Sequence, residues 1–469
     1  LQKYSKLSSK AGDVPKNLPM DSLRSAYVHI PFCRRRCFYC DFPISVLGNQ
    51  RRGETSLTVE GYIDLLCDEI NATPPTGTPL NTVFFGGGTP SLLSVAQLNT
   101  ILGRIEQQFG LESDAEISME MDPNTFSLEH LQGFMDAGIN RISLGVQSLD
   151  DALLEACGRF HRIADVYQAV EWLHQVGMGN WSLDLISALP NLSLDAWEAQ
   201  LKEAVALEPH HISVYDLTIE PQTVFGKRYE PGMSPLPTDD DTAAMYCRAQ
   251  QLLTQQGYDH YEVSNYALPG HQCRHNLTYW RNQPYLGFGM GATSYTHHQR
   301  VSRPRTLKAY REWVADFRQS GGQYSEPVTP PSEQLLDRLM VGLRLKAGIP
   351  GADLQSLCDE TTWQRLYKLL YPYIQRGWVC LTTSDTGQVH PPNEFKMPQG
   401  NSFITEKILK PEPAKTAVQT PALSLPAPPY PPPLSSLKGL KLSDPEGFLF
   451  SNVVLADVFQ LFPDLLSEP

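Results

Sequence analysis

No apolar run in the 469-residue chain approaches the ~20 residues that a membrane-spanning helix needs, so no integral membrane segment is expected. An excess of positive charge is also missing. Asp and Glu number 51 against 38 Lys and Arg, a net charge of −13, which excludes general nucleic-acid binding because that needs basic surface. The first 24 residues hold scattered Lys and Ser but no apolar signal core, and read as a flexible extension rather than a secretion signal. They begin with Leu, which leaves the completeness of the start open. Cysteine is sparse and odd in number, nine in all. Such usage fits a reducing, cytoplasmic setting, with Cys67, Cys157, Cys247, Cys358 and Cys380 simplest as buried apolar thiols.

What is present is concentrated in Tyr27-Val-His-Ile-Pro-Phe-Cys33-Arg-Arg-Arg-Cys37-Phe-Tyr39-Cys40. Three thiolates at this spacing wrap one loop around one centre, one ligand fewer than a fully cysteine-ligated [4Fe-4S] cluster takes, so one iron is left open to an outside ligand. A structural zinc would call for a second ligand pair at zinc spacing, and none follows. Disulfides between neighbouring loop cysteines would be strained. The Arg34-Arg35-Arg36 run reads as a solvated loop, or alternatively as an anion-attracting rim beside the cluster.

From Tyr27 to about Ile219, short apolar strands alternate with amphipathic helices. Strands are expected at Tyr27–Ile30, Thr82–Phe85, Glu116–Glu120, Arg141–Val146, Ser182–Ile186 and His211–Leu217. Repeated βα units imply a parallel sheet. Six units are too few to close an eightfold barrel, so the fold class is α/β, a partial (β/α)6 barrel with ligands at the C-terminal strand ends. Phe85-Gly-Gly87-Gly88-Thr89-Pro follows one strand directly, and its glycines let the backbone approach a ligand closely. Glu120, Gln147, Arg159 and Asp184 fall near strand ends, where carboxylates can accept from hydroxyls and the guanidinium can pair with a carboxylate. Tyr27 and Tyr39 are candidates to pack on a cofactor. His29 reads as a satisfied strand histidine.

On these residues the chain resembles the radical S-adenosylmethionine superfamily. The resemblance implies that the open iron is chelated by the amino and carboxylate groups of S-adenosylmethionine, and that an electron from the cluster cleaves the sulfonium to a 5′-deoxyadenosyl radical. It also implies that Gly87, Gly88, Thr89, Glu120, Gln147, Arg159 and Asp184 line the cofactor pocket.

Over roughly Ser25 to Lys346, and again near Leu442–Asp457, the sequence is similar to the coproporphyrinogen III dehydrogenase branch. That enzyme group carries a fourth cysteine two residues after the third, where this chain has Phe42. It also carries a longer N-terminal stretch. His275-Asn-Leu-Thr-Tyr279-Trp280 instead matches the His-Asn-x-x-Tyr-Trp mark of HemW-type heme chaperones. Cys273 and His275 supply two heme-iron ligand types beside Tyr279 and Trp280, aromatics able to stack on a macrocycle. His275 is the first choice of ligand and Cys273 the second. The expected function is therefore heme carriage to an acceptor protein, with an electron donor such as flavodoxin or ferredoxin. A coproporphyrinogen dehydrogenase and a radical methyltransferase stand as alternatives.

The expected domains are an extension over 1–24, the radical core over 25–225 and its heme-segment extension over 226–305. A winged-helix-like α+β unit over 306–390 follows, then a disordered Pro-rich insertion over 391–437. A helix over 438–469 returns to that unit. Peripheral membrane contact by this last segment is the lesser reading, because it carries few Lys and Arg.

Overall fold

The computed structural model describes residues 23–48, 53, 56–384, 387–389 and 430–459. Most of the N-terminal extension, the Pro-rich stretch as far as 429, and 460–469 therefore lie outside the described residues.

The six expected strands form, five of them longer than expected and the last one residue shorter. They are β1 (Ser25–Ile30), β2 (Leu80–Gly87), β3 (Leu111–Met121), β4 (Arg141–Gln147), β5 (Trp181–Ser187) and β6 (His211–Asp216). Helices α1 (Leu57–Ala72), α2 (Val95–Phe109), α3 (Leu128–Asp136), α4 (Ile163–Gln175) and α5 (Leu194–Ala206) make the crossovers. Serine side chains cap three of them. Ser94 forms a capping box with Gln97, and Ser127 and Ser193 accept from the third backbone N–H of their helices. Along the strands Val83, Phe85, Met119, Leu144 and Leu183 are fully buried, while the intervening Phe84, Glu120, Ser143 and Asp184 line an interior cavity. The strands thus face helices on one side and a polar chamber on the other.

Neighbouring strands from β1 to β6 are all parallel and follow chain order. Three short strands extend the edges: β7 (Asp259–Glu262), β8 (Asn265–Ala267) and β9 (Leu286–Phe288). The nine-stranded order is β9-β1-β2-β3-β4-β5-β6-β8-β7, with the two edges unpaired to each other. The barrel is partial, as the six units require. Runs of three or four residues leave too little periodicity for β7–β9 to be read from sequence.

Beyond the barrel, helices Pro331–Gly342, Gly351–Leu357 and Glu360–Gln375 pack on a four-stranded antiparallel sheet around Leu339, Trp363, Leu370 and Val379. Two sequence readings are corrected here. The helix expected from 438 onward begins later: Leu437–Leu442 is a strand between Ile349–Pro350 and Val379–Thr383, and helices follow at Glu446–Leu449 and Ser451–Phe459. The Pro-rich stretch is also ordered at its end. Trp363 Nε1 donates to Pro432 O at 2.8 Å and Leu434 N–H to Glu360 at 3.1 Å, burying Leu434 and Leu437. The unit is fastened to the barrel edge by His260, which bonds Asp444 at 2.8 Å and stacks on Tyr266. Among the described residues no helix is long and apolar enough to cross a membrane.

Candidate cofactor site and cavity

Strand direction gives the cavity two ends. At the C-terminal ends of the strands lie Cys33, Cys37 and Cys40, together with Gly87, Gly88, Thr89, Asp122 and Gln147. At the N-terminal ends lie Arg141 and His211, and all of these residues border one cavity of about 540 Å³, a size usual for cofactor pockets, which span ~300–1,000 Å³. Strand β4 alone runs from Arg141 to Gln147, about 20 Å at ~3.3 Å per residue.

The cysteine loop is held from outside. Phe38 donates its N–H to Cys157 O and accepts from Phe225 N–H, each at 2.9 Å. The arginines brace the same loop: Arg35 and Arg36 are exposed, and Arg34 and Arg35 border the cavity. Arg34 lies over the Phe160 ring, 3.5 Å from its centroid. Arg35 donates to Gly158 O and Arg159 O, and Arg36 donates to the carbonyls of Cys40, Phe42 and Ile44. Phe42, where the dehydrogenases resembled above have a cysteine, is 53% exposed. Burial pushes the Cys33 thiol up to about 12, with the Thr89 hydroxyl opposing at 3.6 Å, and it raises Cys40 as well. Among the described residues no three His, Cys, Asp or Glu converge on a point that would hold a single ion. Three thiols on one loop suit a polynuclear cluster, in which each binds a different iron.

Backbone next to this loop can only be glycine. Gly87 has φ of +113°, and a Cβ there would stand 2.4 Å from the His29 ring. A Cβ on Gly88 would stand 2.7 Å from Phe32 O, and the Gly88 N–H already donates to Ile30 O at 2.8 Å. The strand end is therefore flush with the cysteine loop. His29 is satisfied by Tyr27 and Pro43 O.

The polar lining forms a connected set. Glu120 accepts from Gly87 N–H at 2.9 Å, and burial lifts its carboxyl to about 7, with Asp184 and Asp122 adding to the rise. Asp184 accepts from Ser143 and Ser182 at 2.7 and 2.9 Å, and burial raises it too. Arg159 ion-pairs with Asp122, donates to Gly145 O at 2.8 Å, and reaches Cys37 Sγ at 3.5 Å through Nη1. Gln147 stands at an irregularity in the β4–β5 register with φ of +68°, which re-aims its side chain at the chamber. Tyr39 packs on Phe225 and Tyr27 on Phe84, and both tyrosines line the cavity. Sequence reasoning missed Asp122, although it falls two residues after Glu120 and hence on the same strand face.

The His-Asn-x-x-Tyr-Trp segment forms the opposite end. It is a short helix, Arg274–Trp280, whose first N–H groups donate to Glu116. His275 is fully buried, bonded through Nδ1 to Thr82 at 2.8 Å and through Nε2 to Tyr279 at 2.7 Å. Burial lowers it to about 3. Both ring nitrogens are thus engaged, and His275 itself does not border the cavity. Cys273, Asn276 and Tyr279 do. Cys273 is buried and pushed up to about 12. Trp280 lies away from the cavity, packed with Tyr261, Leu277 and Leu345 and under Arg344.

Comparison with known proteins agrees with this architecture. Residues 27–204 match the radical SAM superfamily model. A heme chaperone HemW of Synechocystis is 42% identical over 93% of this chain and 96% of that protein. A second, from Lactococcus lactis, is 36% identical over 69% and 82%. Coproporphyrinogen III oxidase (HemN) from Escherichia coli shares the fold with a TM-score of 0.67, covering 79% of this chain and 87% of that one at 22% identity. Matched at 42% identity over 93% of its length, the protein belongs to the HemW family of radical S-adenosylmethionine proteins.

Proposed function

We propose that this chain is a heme chaperone that binds a [4Fe-4S] cluster, S-adenosylmethionine and heme and passes heme to an acceptor protein. The observation that carries the reading is one cavity bordered at one end by three loop thiols and at the other by the His-Asn-x-x-Tyr-Trp segment. Relatives in Synechocystis and Lactococcus bear the heme chaperone name.

Cys33, Cys37 and Cys40 would hold the cluster, which supplies one-electron chemistry and an open iron for the cofactor. Gly87, Gly88 and Thr89 present backbone groups at that position. Glu120 and Asp184 offer acceptors for hydroxyls, Gln147 lines the wall, and Arg159 offers its guanidinium to a carboxylate. What supports Cys273 before His275 as heme-iron ligand is exposure to the cavity. His275 would ligate iron only after giving up Thr82 or Tyr279. Its role in this arrangement is to position Tyr279 and the helix. An electron-donor protein and a cytoplasmic location complete the proposal.

The test is anaerobic reconstitution, followed by incubation with S-adenosylmethionine and reductant, with heme or with coproporphyrinogen III in separate reactions. Heme bound with no porphyrin product supports carriage. Decarboxylation over many turnovers would replace it with dehydrogenase activity.

A further inference from the structure

The inner end of the cavity holds a buried positive charge that the cofactor contacts do not use. Arg141 opens β4, is 2% exposed and borders the cavity. Among the described residues it donates through Nη1 alone, to Asn180 Oδ1 at 2.7 Å and His271 O at 3.2 Å. No carboxylate pairs with it there. The acids nearest in charge are engaged elsewhere: Glu116 accepts the N–H groups of Arg274 and His275, and Asp184 accepts the hydroxyls of Ser143 and Ser182. Asn276 borders the same cavity, and its carboxamide makes no hydrogen bond among the described residues. A guanidinium taken out of water is costly without a hydrogen-bonded anion. A carboxamide lining the same cavity can donate to the second oxygen of a carboxylate.

We propose that Arg141 and Asn276 form a carboxylate subsite on the cavity floor that takes a propionate of a tetrapyrrole. This rests on the heme-binding reading above and assigns which end of the ligand lies deepest. The amino-acid carboxylate of a cofactor chelated at the cysteine loop does not reach the floor, because the length of β4, about 20 Å at ~3.3 Å per residue, separates the two ends.

The test titrates hemin and hemin dimethyl ester, in one detergent buffer, into cluster-reconstituted wild type, Arg141→Gln and Asn276→Asp, reading the Soret band. Wild type is expected to bind the ester at least ~10-fold more weakly than hemin, as loss of a charge-assisted pair implies. Arg141→Gln is expected to bind the two alike. Asn276→Asp, which sets a like charge against the propionate, is expected to weaken hemin and spare the ester, and serves if Arg141→Gln fails to fold. Equal binding of hemin and ester by wild type overturns this subsite and leaves heme carriage standing. Binding of neither overturns carriage and the subsite together. Equilibrium dialysis with S-adenosylmethionine completes the set: weaker cofactor binding by Arg141→Gln with hemin unchanged would hand the floor to an amino-acid carboxylate and overturn the propionate assignment.

Discussion

Arg159 and Asp122 form an ion pair inside the barrel, and the same guanidinium donates from Nη1 to Cys37 Sγ at 3.5 Å. One cation thereby faces a carboxylate at the end of β3 and a thiol of the cysteine loop. Asp122 fixes the direction of Arg159, and Arg159 brings positive charge to the position where the cofactor carboxylate is proposed to bind. Arg159→Gln keeps a polar side chain but removes the charge and strands Asp122. The expected result is a rise of at least ~10-fold in the S-adenosylmethionine dissociation constant, the scale of one charge-assisted hydrogen bond. Equilibrium dialysis on reconstituted protein measures it. Asp122→Asn, which loosens Arg159 without deleting it, should give a smaller rise in the same direction. Unchanged affinity in both variants would remove Arg159 from the cofactor contacts.

Glu120 links stability to pH. Burial lifts its carboxyl from 4.5 to about 7, so between those values the folded chain holds a proton there that the unfolded chain has released. The stability associated with Glu120 is complete below the unfolded value and is lost as pH rises through about 7. Glu120→Gln mimics the protonated form at every pH. Its melting temperature is expected to exceed that of wild type at pH 8 and to match it near pH 4. A difference that widens on acidification would contradict the assignment. Cofactor affinity should fall in the same variant, because an amide offers one acceptor oxygen in place of two.

The two ends of this cavity differ in how far the sequence exposes them. The cysteine loop and the glycine strand end are local patterns. Three thiols within eight residues, and Gly87 and Gly88 directly after an apolar strand, carry their chemistry in their spacing. Asp122 and Arg141 carry none of it, because each acquires meaning from a partner brought close by strand order: Arg159 for Asp122, and the 271–276 segment for Arg141. The arginines after Cys33 show the same limit. A basic triplet shows its charge in the sequence but not the carbonyls of Gly158 and Ile44 that it holds. His275 is the reverse case. The hexapeptide marks the segment, yet only tertiary packing against Thr82 and Tyr279 reveals that its ring nitrogens are engaged.

That packing gives His275 a stability role distinct from iron ligation. Burial lowers it from 6.5 to about 3, so the unfolded chain binds the extra proton between those values. Its contribution is complete above the unfolded value and is lost as pH falls toward about 3. His275→Ala removes two hydrogen bonds and opens a cavity at a fully buried site, a change expected to cost about 2–5 kcal/mol. The variant should melt at lower temperature, and any heme it binds should keep the wild-type iron-ligand signature in electron paramagnetic resonance. Cys273→Ala should alter that signature. An imidazole signature lost in His275→Ala at unchanged melting temperature would restore His275 as the ligand.

Arg36 tests whether the cysteine loop is built by its own side chains. Its guanidinium donates to the carbonyls of Cys40, Phe42 and Ile44, at 3.1, 2.9 and 3.4 Å, and so closes the turn that carries the third thiol. The residue lies at the surface, where each bond contributes little. The effect is therefore expected in the geometry of the loop more than in global stability. Arg36→Ala should melt within a few degrees of wild type yet release iron to a chelator several times faster after reconstitution. Arg36→Lys should not rescue retention, because an ammonium lacks the planar fork that spans several carbonyls. Iron release at the wild-type rate in both variants would mean that the Phe38 backbone bonds to Cys157 and Phe225 suffice to hold the loop.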